Sequence, residues 1–141
     1  MLKTIIEATQ NFCTHQINEE STINDNITKS RTLIAYIDID TQDDRKYRVY
    51  LACDNDFIQK VSKLFLEEDE SNEETLIDMT LETTNLIVGS AKVIAQESNI
   101  PYMIDTPHFE KIGQFDFKYD EMKTVMIDGC GVTIAIKESN G

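Results

Sequence analysis

The feature that most constrains the fold of this chain is residues 72–96, a long stretch that contains no proline and only one interior glycine. This stretch is far too long for a strand, so it predicts a single long α-helix. At about 100° per residue, one stripe of that helix contains only polar residues and glycine: Asp78, Glu82, Asn85, Gly89, Lys92 and Gln96. The remaining positions are mainly apolar or threonine. We therefore expect a mostly buried helix that exposes one narrow face, called here the polar stripe.

The polar stripe carries a carboxylate at Glu82, a carboxamide at Asn85 and a bare helical position at Gly89. A surface helix usually shows a broader charged face, so this stripe is a candidate binding or catalytic surface. The alternative is that Glu82 and Asn85 are ordinary solvent-facing residues. Gly89 costs about 1 kcal/mol of helix stability relative to alanine. Two explanations for this glycine remain open: close approach by a partner, or close helix packing inside the protein.

The spacing of Asp78, Glu82 and Asn85, followed by Pro107, fits the pattern D-x3-E-x2-N-x21-P. This pattern resembles the signature of the CheC/CheX/FliY family of chemotaxis phosphatases. Residues 85–92 (NLIVGSAK) also resemble the run that continues that signature, with serine where asparagine is common. Two-site members carry a second E-x-x-N on the first helix, where this chain has Glu and Gln. The resemblance is therefore closest to CheX, with one site per chain.

The resemblance implies an enzyme that removes the aspartyl phosphate from the receiver domain of CheY. In that role Asn85 would position the hydrolytic water, and Glu82 would pair with the receiver's active-site lysine. Asp78, Gly89 and Lys92 would contact the partner. No cofactor is expected on this chain, because the Mg²⁺ ion of such a reaction belongs to the receiver. The alternative function is a non-catalytic receiver-binding or flagellar-switch adaptor that uses the same stripe.

Composition narrows the remaining function classes. The net charge of -13 argues against nucleic acid or an anionic membrane as partner, because both require a basic surface. No signal peptide or long apolar segment is evident, so we expect a cytoplasmic protein. The three cysteines match neither a disulfide framework nor a zinc site. The length of 141 residues suits one domain, residues 1–141, and the resemblance implies a homodimer joined at sheet edges.

The rest of the chain predicts an α+β fold, an antiparallel sheet with helices packed on one face. Two helices are expected besides the long one: residues 2–17, and a short helix from Phe57 capped by Asp54 or Asn55. Residues 18–31 read as a polar loop, and residues 67–74 as a solvated acidic linker. The expected strands are a hairpin of residues 32–40 and 46–53, an edge segment 100–104, and a meander of residues 109–118, 122–127 and 131–136. Glycines 129 and 131 favour a tight turn before the last strand.

Overall fold

A computed structural model describes residues 1–26 and 31–139. Within those ranges the chain forms three α-helices and one seven-stranded antiparallel sheet, which confirms the predicted α+β class. The helices are α1 (Leu2–Phe12), α2 (Asn55–Leu66) and α3 (Glu73–Glu97). The strands are β1 (Thr22–Asn24), β2 (Thr32–Thr41), β3 (Lys46–Asp54), β4 (Tyr102–Ile104), β5 (His108–Gly113), β6 (Glu121–Ile127) and β7 (Cys130–Ser139). None of the helices in these ranges is long and apolar enough to cross a membrane.

The first helix buries the face that its apolar spacing predicts. Leu2, Ile5, Ile6 and Phe12 are all buried in the main core. A short π-helical segment, Cys13–Ile17, continues α1 and completes the predicted helical region. Asn18 then takes a left-handed conformation with φ of 67°, which ends the helix.

The central hairpin forms as predicted, with β2 paired to β3 from Thr32 opposite Asp54 to Asp40 opposite Lys46. Alternation along β2 turns one face toward the helices, because successive side chains of a strand point to opposite sides. That face is fully apolar and nearly inaccessible to solvent: Leu33, Ala35, Ile37 and Ile39. On the outer face of the same strand, Ile34 is buried whereas Asp40 is exposed. The sheet therefore has one complete core face and one that becomes polar toward the hairpin turn.

The predicted three-strand meander is wrong. The strand order is β1-β6-β7-β3-β2-β4, and β5 also pairs with β2. Strands β7, β3 and β2 therefore lie between β6 and β5, so these two strands are not neighbours. The strand predicted at residues 109–118 ends at Gly113. The chain beyond it covers part of the outer face, where buried Phe115 packs with Ile34, Ala52 and Ala135. That apolar patch explains the difference, because it would otherwise stay in contact with water.

The predicted loop at residues 18–31 contains a strand that sequence reasoning missed. Thr22, Ile23 and Asn24 pair with Met126, Val125 and Thr124 at the edge of the sheet. This strand is only three residues long and largely exposed, so it shows no apolar alternation. Residues 27–30 of the predicted loop lie outside the described residues.

The prediction that the side chain of Asp54 or Asn55 caps α2 is also wrong. Asp54 stands at the N-cap position, but its side chain makes no capping bond. Instead Oδ2 of Asp54 accepts a hydrogen bond from the backbone N–H of Gly131 at 2.9 Å, tying β3 to β7. An added Cβ at Gly131 would lie 2.3 Å from the carbonyl oxygen of Val125, so this position requires glycine for space. The positive φ angles of the tight turn belong to Asp128 and Gly129, at 42° and 82°.

The long helix forms over Glu73–Glu97, within one residue of the predicted range. It begins at a capping bond in which Oδ1 of Asn72 accepts from the N–H of Thr75 at 2.9 Å. Its buried face packs against β2, β4 and β5, and α1 and α2 pack beside it. The buried residues of the helix are Leu76, Met79, Thr80, Thr83, Thr84, Ile87, Val88, Ala91 and Ala95.

Thr83→Val should raise the free energy of unfolding by about 1 kcal/mol, because it removes a buried hydroxyl that lacks a hydrogen bond. Oγ1 of Thr83 has no partner within the described part of the chain, and its residue is fully buried. Thr84→Val is the matched control, since Oγ1 of Thr84 donates to the carbonyl oxygen of Thr80 at 2.8 Å. Chemical denaturation should give Thr83→Val a higher free energy of unfolding than Thr84→Val. The reverse order would mean that Thr83 has a bonding partner.

Candidate functional site

The polar stripe lies on the solvent side of α3, as its spacing predicts. Asp78, Glu82, Asn85 and Gln96 are exposed, and Gly89 and Lys92 are half-buried. At 1.5 Å per residue, the stripe runs about 27 Å along the helix from Asp78 to Gln96. The structure thus brings the predicted site residues onto one continuous surface.

Glu82 and Asn85 occupy the middle of this surface with their polar atoms unengaged. Neither side chain forms a hydrogen bond or ion pair with any other residue in the ranges 1–26 and 31–139. The two residues are less than one turn apart, about 4.5 Å along the helix axis. Because the opposite side of α3 is packed on the sheet, the backbone that carries both groups is fixed. A carboxylate and a carboxamide are therefore presented together on a rigid support.

The exposed face of α3 is wider than predicted, and part of it is apolar. Leu86 is 40% exposed and Val93 is 53% exposed, although the sequence pattern placed both on buried flanks. The reason is tertiary: α1 and α2 pack beside the buried side of α3, and no described element covers these two residues. The prediction of a narrow stripe on a mostly buried helix is therefore corrected.

Gly89 has open space around it. A Cβ built at this position meets no atom within 4 Å once the helix's own backbone is set aside. Close packing against other elements of the described chain therefore does not explain the glycine. Pro107 is half-buried in the segment between β4 and β5, and both of these strands pack against α3.

A groove lies beside the polar stripe, between α1 and α3, and sequence reasoning missed it. Its volume is about 390 Å³. The residues that line this α1–α3 groove are Ala8, Asn11, Phe12, His15, Gln16, Phe65, Leu86, Ile87 and Ser90. Phe65 of α2 is 36% exposed, so part of the groove wall is open to solvent. The only signal in the sequence was the apolar run Leu64–Leu66 placed directly before an acidic segment.

Two other kinds of site receive no support from the described residues. Within residues 1–26 and 31–139, no group of three or more His, Cys, Asp or Glu side chains is placed to hold a metal ion. The three cysteines are free and buried. Burial raises the pKa of the Cys13 thiol to about 11 and also raises the pKa of Cys53 and Cys130. These thiols remain protonated at neutral pH and are poor nucleophiles.

Comparison with known proteins identifies the class. The family model described as "Chemotaxis phosphatase CheX" matches residues 35–128. The fold is similar to the chemotaxis protein CheX of Vibrio vulnificus, with a TM-score of 0.81 at 17% identity over 98% of this chain and 95% of that one. A CheC-like protein of Shewanella oneidensis gives 0.79 at 13% identity, covering 98% and 97%. The CheX–CheY–BeF3–Mg²⁺ complex of Borrelia burgdorferi gives 0.70 at 15% identity, covering 99% and 97%.

These findings define an α+β domain of the chemotaxis phosphatase class. The matched region is more than half of the chain, and the chain belongs to the CheX family. Comparison with curated proteins finds no matching sequence. At these identities the solved structures establish the fold.

Gly89→Ala should raise the free energy of unfolding by about 0.5 to 1 kcal/mol, because alanine is the better helix former and its methyl group meets no other atom. Thermal or chemical unfolding measures this directly. Gly131→Ala is the contrasting control and should be destabilising, since its Cβ would clash with the backbone of Val125. A loss of stability in Gly89→Ala would show that Gly89 is needed within the fold.

Proposed function

We propose that this protein accelerates hydrolysis of the aspartyl phosphate on a CheY-like receiver domain. The observation that carries the proposal is Asn85: an exposed carboxamide on a rigid helix, without a partner in the described part of the chain. Membership of the CheX family supports the reaction class. The Borrelia burgdorferi complex supports the partner class, because BeF3 is a stable mimic of a phosphoryl group.

Asn85 suits the chemistry of this reaction. An aspartyl phosphate is an intrinsically reactive acyl phosphate, so an accessory protein needs mainly to place water in line with the phosphorus. The side chain of Asn85 both donates and accepts hydrogen bonds without changing its protonation at neutral pH. It can therefore orient a water molecule while the receiver's own groups and Mg²⁺ ion stabilise the charge on the phosphoryl oxygens.

The other stripe residues act in docking. Glu82 forms a charge-assisted contact with the receiver's active-site lysine, which fixes the register of the two proteins. Gly89, one turn beyond Asn85, admits close approach of the receiver's backbone. Asp78 and Lys92 lie toward the two ends of the stripe and contact the rim of the partner. The Mg²⁺ ion belongs to the receiver in this proposal, and this chain supplies no ligand to it.

A homodimer is part of the same proposal. The described sheet has β1 at one edge and β4 and β5 at the other. An uncovered edge can pair with a second copy by backbone hydrogen bonds.

Asn85→Ala should lower the acceleration of phospho-receiver decay by about tenfold to a thousandfold, because the group that holds water in line is lost. The assay phosphorylates a CheY-like receiver with a small phosphodonor and follows decay with and without this protein. The side chain is exposed, so the unfolding temperature should stay near that of the parent. A variant as active as the parent would remove Asn85 from the mechanism. A parent that binds without accelerating decay would favour the adaptor function.

Glu82→Ala should weaken capture of the phosphorylated receiver, since the lysine of the partner then loses its counter-charge at the interface. The loss should appear mainly as a raised KM, about tenfold, with a smaller fall in kcat. Glu97→Ala is the matched control, an exposed glutamate at the last residue of the same helix, and it should behave like the parent. Equal effects of the two substitutions would indicate that the net negative charge of the helix matters and that Glu82 makes no specific contact.

A further inference from the structure

We infer that the α1–α3 groove is the second half of the docking surface and takes one apolar side chain of the phosphorylated receiver. This inference rests on the proposed function, because its occupant is the receiver on which Asn85 acts. The groove lies directly beside the polar stripe. Leu86 and Ser90 line it, and each directly follows a stripe residue, Asn85 or Gly89.

A protein interface of ordinary size needs more surface than the polar stripe provides. A specific protein interface buries about 800 Å² on each partner and involves roughly 20 residues or more on each side. The polar stripe offers six residues along one helix, which is too few for such an interface. The docking surface must therefore extend onto neighbouring exposed surface.

The two sides of the polar stripe differ in exposure. On one side of the stripe, the side chains of α3 face the protein core, and Val88 and Ala95 are almost completely buried. On the other side, exposed Leu86 and Ser90 lead directly into the groove. A partner centred on Asn85 that extends toward this side covers the groove mouth.

The side chains that line the groove suit an apolar occupant. Its base is formed by Ile87 and Ala8, which are 0% and 1% exposed, and its walls include the rings of Phe12 and Phe65, 6.1 Å apart. The described residues that line it include no Asp, Glu, Lys or Arg, although this chain contains 26 acidic residues. A volume of about 390 Å³ accommodates a leucine-sized or phenylalanine-sized side chain. The accessible apolar surface of the groove comes mainly from Phe65 and Leu86, which are 36% and 40% exposed, and exposed apolar surface beside polar side chains is typical of interaction sites.

The groove and the stripe then have different tasks. Asn85 acts on water in the transition state, whereas an apolar contact in the groove is equally strong before and during the reaction. Uniform binding of this kind lowers KM and leaves kcat unchanged. In steady-state kinetics, groove substitutions should therefore raise KM, whereas Asn85→Ala should lower kcat.

The test uses two substitutions that act on the groove in opposite ways. Leu86→Ala removes part of its wall, and Ser90→Leu fills its mouth. Each should raise the Kd for a BeF3-activated receiver and the KM for the phosphorylated receiver by about tenfold, which corresponds to a loss of about 1.4 kcal/mol of binding free energy. For both variants kcat at saturating receiver should remain near that of the parent. Leu64→Ala is the matched control, because Leu64 is 48% exposed and does not line the groove.

Unfolding temperatures of all variants are measured first, and the exposed positions of Leu86 and Ser90 predict little change. If the parent binds the receiver and Asn85→Ala slows decay, but both groove variants keep the parent's Kd, the groove inference is overturned and the proposed function stands. If Ser90→Leu alters the sedimentation coefficient while receiver binding is unchanged, the groove joins two copies of this chain. If the parent neither binds nor accelerates decay, the function and the groove inference both fail.

Discussion

The packing of α3 against β2 is the contact on which the rest of this structure depends. Ile87, Val88 and Ala91 are fully buried, and they belong to the same core cluster as Ile37 and Ile39 of β2. Burial of each large aliphatic side chain contributes about 1.5 to 3 kcal/mol, so the rotation of the helix about its own axis is strongly fixed. Because a helix is rigid, fixing one face also fixes the opposite one. The orientation of the polar stripe is thus a consequence of core packing.

This arrangement suits a reaction in which positioning provides most of the acceleration. In the proposed mechanism Asn85 orients a water molecule, which requires a defined position for this residue, and a loop would leave it free to move. The helix defines the backbone position of Asn85, and its side chain forms no hydrogen bond with residues 1–26 or 31–139. In the same way, the open position at Gly89 has a cost in helix stability that the core contacts of α3 offset.

The parts of the fold that the sequence predicted well are those governed by local periodicity. The helical spacing in α1 and α3 and the alternation in β2 and β3 each depend on one buried face, so the pattern is visible within a single element. The missed parts depend on pairing at long range. The location of β5 beside β2 and the packing of Phe115 on the outer face follow from which strand edge and which apolar patch remain uncovered. No pattern within residues 108–120 contains that information.

Some features of the candidate site likewise follow from local spacing, and others depend on tertiary packing. The sequence by itself determined that α3 is one long helix and that Glu82 and Asn85 share its polar side, because residue spacing alone sets the angle between side chains on a helix. Only the tertiary structure decided that Gly89 faces open space, that Leu86 is exposed, and that a groove adjoins the stripe. The groove unites Phe12, Phe65 and Leu86 from three helices, and such a surface exists only after distant parts of the chain have packed together.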